Sequence, residues 1–276
     1  MIPPVDTKNA QAVARFVQKK RRELFGPGKS PWLARVLRDV TALFAGKQRD
    51  YAAIDLHYHD FEHTLQATVC LVLILEGRHG RRIRPVLKPR DFDLAVAAVL
   101  LHDSGYLRLR SDRGGTGARY TFIHELRSSA YAASYLPGIG ADVREVDTVV
   151  AAIGCTGPRS DVRRIIFPDP LARLTGCVVA TADYLAQMAA PDYVAKLPAL
   201  HREFQESYDF FRTPRARRYS RSVAELLRRT PAFWRDFVLP KLRRDFGGVY
   251  RYLAAPGGSN PYLAAVAANL ARIERG

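Results

Sequence analysis

The stretch that decides the fold is Leu94-Ala95-Val96-Ala97-Ala98-Val99-Leu100-Leu101-His102-Asp103-Ser104-Gly105. Its eight apolar residues read as the buried end of a helical segment over 91–103, a helix that finishes on two ionisable groups. Such groups are costly to bury unless something neutralises them. A divalent cation would: the carboxylate offers a hard oxygen and the imidazole a borderline nitrogen, a mixture suited to Mn²⁺, Fe²⁺, Zn²⁺ or Mg²⁺. Taken alone, the dipeptide also fits an imidazole bonded to a backbone carbonyl beside an aspartate that caps the next turn.

Working outward, helical apolar spacing recurs over 8–25, 31–46, 59–78, 121–136, 142–154, 170–189, 192–209, 220–229, 231–246 and 261–274. Asp169-Pro170, Thr230-Pro231 and Asn260-Pro261 each put a capping side chain before a proline and predict three helix starts. Strand signals are scarce, with Arg163 to Phe167 the one short candidate, so the predicted fold is all-α. The 276 residues, 47% of them hydrophobic, suit one domain with a continuous core. The apolar run Ala67 to Leu75 is far short of the ~20 residues of a membrane span. Two polar loops stand out, Gly77 to Arg90 and Leu107 to Tyr120, and the second either covers a site or merely connects.

Five of the seven histidines lie between positions 57 and 102. His59 and His63, in Tyr58-His59-Asp60-Phe61-Glu62-His63, are four apart and share one helical face. Asp183 is a lone carboxylate in the apolar segment Cys177-Val-Val-Ala-Thr-Ala-Asp183, with Val179, Ala180 and Gln187 near it on the helix, so it is expected to be at least partly buried and in need of a partner.

The ordered set His63, His102-Asp103 and Asp183 resembles the HD superfamily of metal-dependent phosphohydrolases, and Tyr58 to His63 is similar to the Tyr-His-Asn-x-x-His signature of cyclic-nucleotide phosphodiesterases. The resemblance covers roughly residues 57–190. It implies an HD-like helical bundle with additional N- and C-terminal helices, 191–276 packing on the metal-site core as a helical extension. It assigns His63, His102, Asp103 and Asp183 to a divalent metal (Mn, Mg, Fe or Zn), with Asp103 bridging toward a second ion and His59 protonating the leaving oxygen. Tyr58 and Arg127 would contact substrate. A carboxylate to hold His59 cationic is sought in Asp60 or Glu62. His124 resembles the further histidine of two-metal members and would serve a second ion or the substrate phosphate, beside Arg127, which sits one turn on and equally fits an ordinary surface arginine. Those members usually carry another histidine where this chain has Ala151-Ala-Ile-Gly-Cys-Thr156, which leaves Thr156 as a water-mediated contact to any second ion.

The function implied is hydrolysis of a phosphoester, foremost a phosphodiester of a nucleotide-like substrate. Three other readings stay open: a nucleotide phosphomonoesterase, an HD-type di-iron oxygenase, and a nucleic-acid-binding module. The last draws on charge. Lys and Arg number 43 against 27 acids, a net +16, and residues 212–251 hold twelve bases and three acids. A field of that sign attracts nucleotides, nucleic acids and acidic surfaces, and Arg212 to Arg221 interleaves arginines with Tyr219. Cys70, Cys155 and Cys177 are widely spaced and predicted to be core thiols. Met1 to Lys8 has no signal-peptide pattern, so a cytoplasmic protein is expected.

Overall fold

The computed structural model describes residues 2–254 and 257–275. They form ten α-helices: α1 (Ala10–Phe25), α2 (Pro31–Phe44), α3 (Phe61–Gly80), α4 (Pro89–Leu101), α5 (His124–Tyr135), α6 (Val143–Ile153), α7 (Pro170–Ala189), α8 (Tyr193–Phe210), α9 (Val223–Phe233) and α10 (Pro261–Arg275). Among the described residues there is no strand, only an isolated antiparallel bridge between Tyr51 and Leu109. Arg163 to Phe167, the expected strand, is turn and irregular chain and forms no β-bridge among the described residues.

The helix starts have local causes. Asp60 accepts a hydrogen bond from His63 N at 2.8 Å and opens α3; Asp169 accepts from Leu171 N and Ala172 N ahead of Pro170; Asn260 does the same for Tyr262 N and Leu263 N. Thr230-Pro231 does not start a helix. Ser222 caps α9 instead, the helix runs through Pro231, and the Thr230 hydroxyl turns back to Leu226 O at 2.9 Å. Beyond Pro231 the winding widens to π-type turns over Trp234–Val238 and Lys241–Asp245, a way to continue a helix in which proline has removed a donor.

The centre of the fold is the pairing of α3 with α7, flanked by α4 and α6. On α4 every residue from Phe92 to Leu101 is buried. One of these is charged: Asp93 is bound by Arg21 of α1 at 2.7 Å and by the hydroxyl of Ser30 at 2.7 Å, which ties both leading helices to the core. One continuous apolar cluster runs from Val13 of α1 to Val266 of α10. Helices α8 and α10 pack on α7, and α9 packs on both of them.

Of the two polar segments, the first is partly helix, since α3 extends to Gly80. The second is a fixed connection. Thr116 donates to Glu206 of α8 from both backbone and hydroxyl, Gly117 N donates to Asp55 at 2.9 Å, and a short 3-10 turn over Gly117–Tyr120 packs on α8. That anchoring fixes where Thr121, Phe122 and His124 emerge.

Candidate active site

Three central helices deliver their polar residues to one buried point. His63 comes from the first turn of α3, His102 and Asp103 from the end of α4, and Asp183 from the middle of α7. His63 Nε2 lies 3.0 Å from Asp183 Oδ1 and 3.5 Å from Asp103 Oδ2. His102 Nε2 lies 3.4 Å from Asp103 Oδ2 and 3.5 Å from Asp183 Oδ1. These are approaches of heavy atoms and not formed hydrogen bonds: both Nε2 atoms and Asp103 Oδ2 are buried without a hydrogen-bond partner. Buried polar atoms left in that condition cost roughly 1–3 kcal/mol each, which a cation could offset. The grouping of His63, His102 and Asp103 has the spacing of metal ligands. Two imidazole nitrogens and two carboxylates suit a borderline or hard divalent ion.

Backbone carbonyls aim the rings. His102 Nδ1 is 2.7 Å from Val99 O and His124 Nδ1 is 2.8 Å from Thr121 O. When each Nδ1–H donates to its carbonyl, the Nε2 lone pair faces the cluster, the arrangement typical of metal-binding histidines. His124 Nε2 lies 3.7 Å from Asp103 Oδ1, the carboxylate oxygen turned away from His102. Burial works against charge on His102, but Asp103 and Asp183 outweigh it and raise its pKa to about 9. Burial likewise pushes Asp183 up, and the two histidines beside it bring it far below the usual carboxylate range. This is a site that demands positive charge.

Gly105 explains how α5 comes so close. A Cβ there would lie 2.0 Å from His124 O, so only glycine lets the start of α5 settle on the turn after Asp103. Ser128 locks the contact: its hydroxyl donates to His102 O at 2.6 Å and accepts from Gly105 N at 2.8 Å. Arg127 belongs to the same clasp. Its guanidinium donates to Gly105 O and Leu107 O and stacks 3.7 Å over Tyr120, away from the cavity described below. The expected phosphoryl clamp is therefore corrected to a structural brace, because backbone carbonyls engage Nε and Nη2 of the guanidinium and Arg127 does not border the cavity.

His59 precedes α3 and its ring lies against Tyr106, 4.6 Å between centroids, with Tyr106 stacked on His124 at 4.4 Å. Its carboxylate partner is neither Asp60 nor Glu62. Asp60 is spent on capping and on Lys196, while Glu62 faces Thr7 and Gln66. Glu203 of α8 takes the role, with Oε2 2.7 Å from His59 Nδ1 and Oε1 accepting from Tyr58 N at 2.8 Å and His57 N at 3.2 Å. Burial lowers the His59 pKa, yet the bond and charge of Glu203 prevail and the net shift is upward. Because α8 supplies this residue, the site is not confined to 57–190, and the extension expected after residue 190 is part of it.

The site opens into a cavity of about 580 Å³ bordered by Tyr58, His59, Asp103, Tyr106, His124, Thr156 and Asp183. Phe122, Tyr184, Phe204, Tyr208, Tyr219 and Phe233 add a broad aromatic wall, and among the described residues Arg159 is the one arginine or lysine on it. Thr156 reaches the cavity, but its hydroxyl donates to Ile153 O at 2.8 Å. No helix among the described residues is long and apolar enough to cross a membrane. Family models and curated proteins compared with this chain give no match.

Proposed function

We propose that this protein is a metal-dependent phosphoesterase of the HD type that hydrolyses a phosphodiester of a nucleotide-like substrate. The observation that carries the reading is the convergence of His63, His102, Asp103 and Asp183 at one buried point, beside a histidine backed by a glutamate and facing a ligand-sized cavity. When bound by those four residues, a divalent ion supplies Lewis acidity at phosphorus and makes water a competent nucleophile near neutral pH.

The chain's own contribution is proton handling. Glu203 keeps the Nδ1–H of His59 engaged, so the proton free to leave is the one on Nε2. As water adds to phosphorus, releasing one proton to solvent, and the ester P–O bond breaks, His59 gives its proton to the departing alkoxide and regains one from solvent. Stacking against Tyr106 holds the ring in place for the transfer. That acid serves an alkoxide leaving from a diester or a monoester alike, and the preference for a diester rests on the likeness of Tyr58 to His63 to the phosphodiesterase signature.

The test is elemental analysis of the purified protein together with Mn²⁺-supported assays on a chromogenic phosphodiester, a phosphomonoester and cyclic and linear nucleotides, run beside Asp103→Ala. Stoichiometric metal and diester turnover that vanish together in Asp103→Ala are expected. Bound iron with every phosphoester left intact would move the reading to oxygen activation.

A further inference from the structure

We infer that an aromatic and arginine track leads out of the cavity and binds the part of a single-stranded oligonucleotide that lies beyond the bond to be cut; this rests on the phosphodiesterase reading above. Phe122 lines the cavity, and its ring lies 5.2 Å from Tyr208, also in the lining, and 5.7 Å from Phe211. Phe211 is in turn 5.2 Å from Phe210. The two outer rings are 41% and 52% exposed, unusual for phenylalanine in a chain whose other large side chains are mostly covered. The rings thus form an unbroken path from a buried wall to open surface.

Guanidinium groups accompany that path. Arg159 lies 5.6 Å over the Phe122 ring. Arg212 follows Phe211 directly in the chain, and Arg215 and Arg217 come four and six positions after it. Among the described residues none of these four has a carboxylate partner, although Arg218, the next residue after Arg217, is paired with Asp209 and Arg229 with Glu225. Unpaired guanidiniums beside exposed rings complement a chain of alternating phosphates and bases, since bases stack on the rings and phosphates meet the charges. A bilayer would meet the exposed phenylalanines but not the inner rings, whereas a strand threads from surface to cavity and uses both.

The test is fluorescence anisotropy with phosphorothioate-linked, fluorescein-tagged oligo-dT of two, four and eight nucleotides on the metal-loaded protein. Affinity is expected to rise with length, to drop about tenfold or more in Phe211→Ala, as loss of one base stack implies, and to recover in Phe211→Tyr. Arg215→Gln with Arg217→Gln should reduce the slope of log affinity against log salt by about 1.4, or ~0.7 for each phosphate left without its cation. Neither variant should alter cleavage of a small chromogenic diester. Binding that is independent of length or unchanged in these variants overturns the track, as does Phe211-dependent binding to phosphatidylglycerol vesicles without oligonucleotide binding. Diester turnover without track-dependent binding defeats the track alone; track-dependent binding without turnover of any ester defeats the hydrolase reading alone.

Discussion

At the scale of single residues, the pairing of His59 with Glu203 is the most consequential contact. With its pKa raised, His59 keeps its proton above the pH at which a free imidazole loses it. The alkaline limb of kcat/KM is therefore expected above the ordinary histidine range. In Glu203→Gln the largest of the groups that offset burial is lost, with Asp103 and Asp183 remaining, so that limb should move to lower pH, as a pH–rate profile will show. A limb that stays put would remove His59 from the reaction. The same shift ties protonation to stability: what the charged pair contributes is complete below the unfolded histidine pKa and is lost as pH rises through the folded one. His59→Asn should lower kcat by roughly 10²–10⁴ with metal content unchanged, the range for removing a general acid. Little of this was legible in sequence. His59 was, through its spacing from His63. Glu203 was not, since it lies 144 positions from His59 and looks like any glutamate on an amphipathic helix.

At the scale of elements, the site depends on how closely α5 approaches the end of α4. Gly105→Ala places a methyl group against His124 O, and backbone cannot yield as a flexible side chain does. We expect a loss of about 1–3 kcal/mol in denaturant unfolding, the range for overpacking, with a fall in activity as His124 shifts. Gly138→Ala is the matched control, because a Cβ there meets nothing within 4 Å. Equal stability of the two variants would disprove the close-packing account. Helix positions were legible because caps and apolar spacing are local signals: Asp169-Pro170 and Asn260-Pro261 start helices as their chemistry dictates. Thr230-Pro231 carries the same local pattern and fails, since Ser222 had already opened α9 and the chain could widen rather than stop.

For the whole molecule, the candidate metal site gathers α3, α4 and α7 around one buried set of charges, so an ion bound there should act as a staple across the fold. A divalent ion at 100 times its Kd is expected to add about 2.7 kcal/mol of stability, seen as a rise in Tm that a chelator reverses and that Asp103→Ala lacks. An unchanged Tm would mean that the cluster does not take metal. The sequence by itself determined the helical architecture and the chemical identity of His63, His102, Asp103 and Asp183, because helix periodicity, caps and costly polar residues in apolar segments are written locally. Only the tertiary structure decided that α8 completes the site through Glu203, that Arg127 braces backbone instead of substrate, and that Arg159 and the aromatic wall face the cavity. Those outcomes depend on which groups meet across 22 residues for Arg127 and Gly105 and across 144 for Glu203 and His59, and packing, not local preference, settles which partner each charge finds.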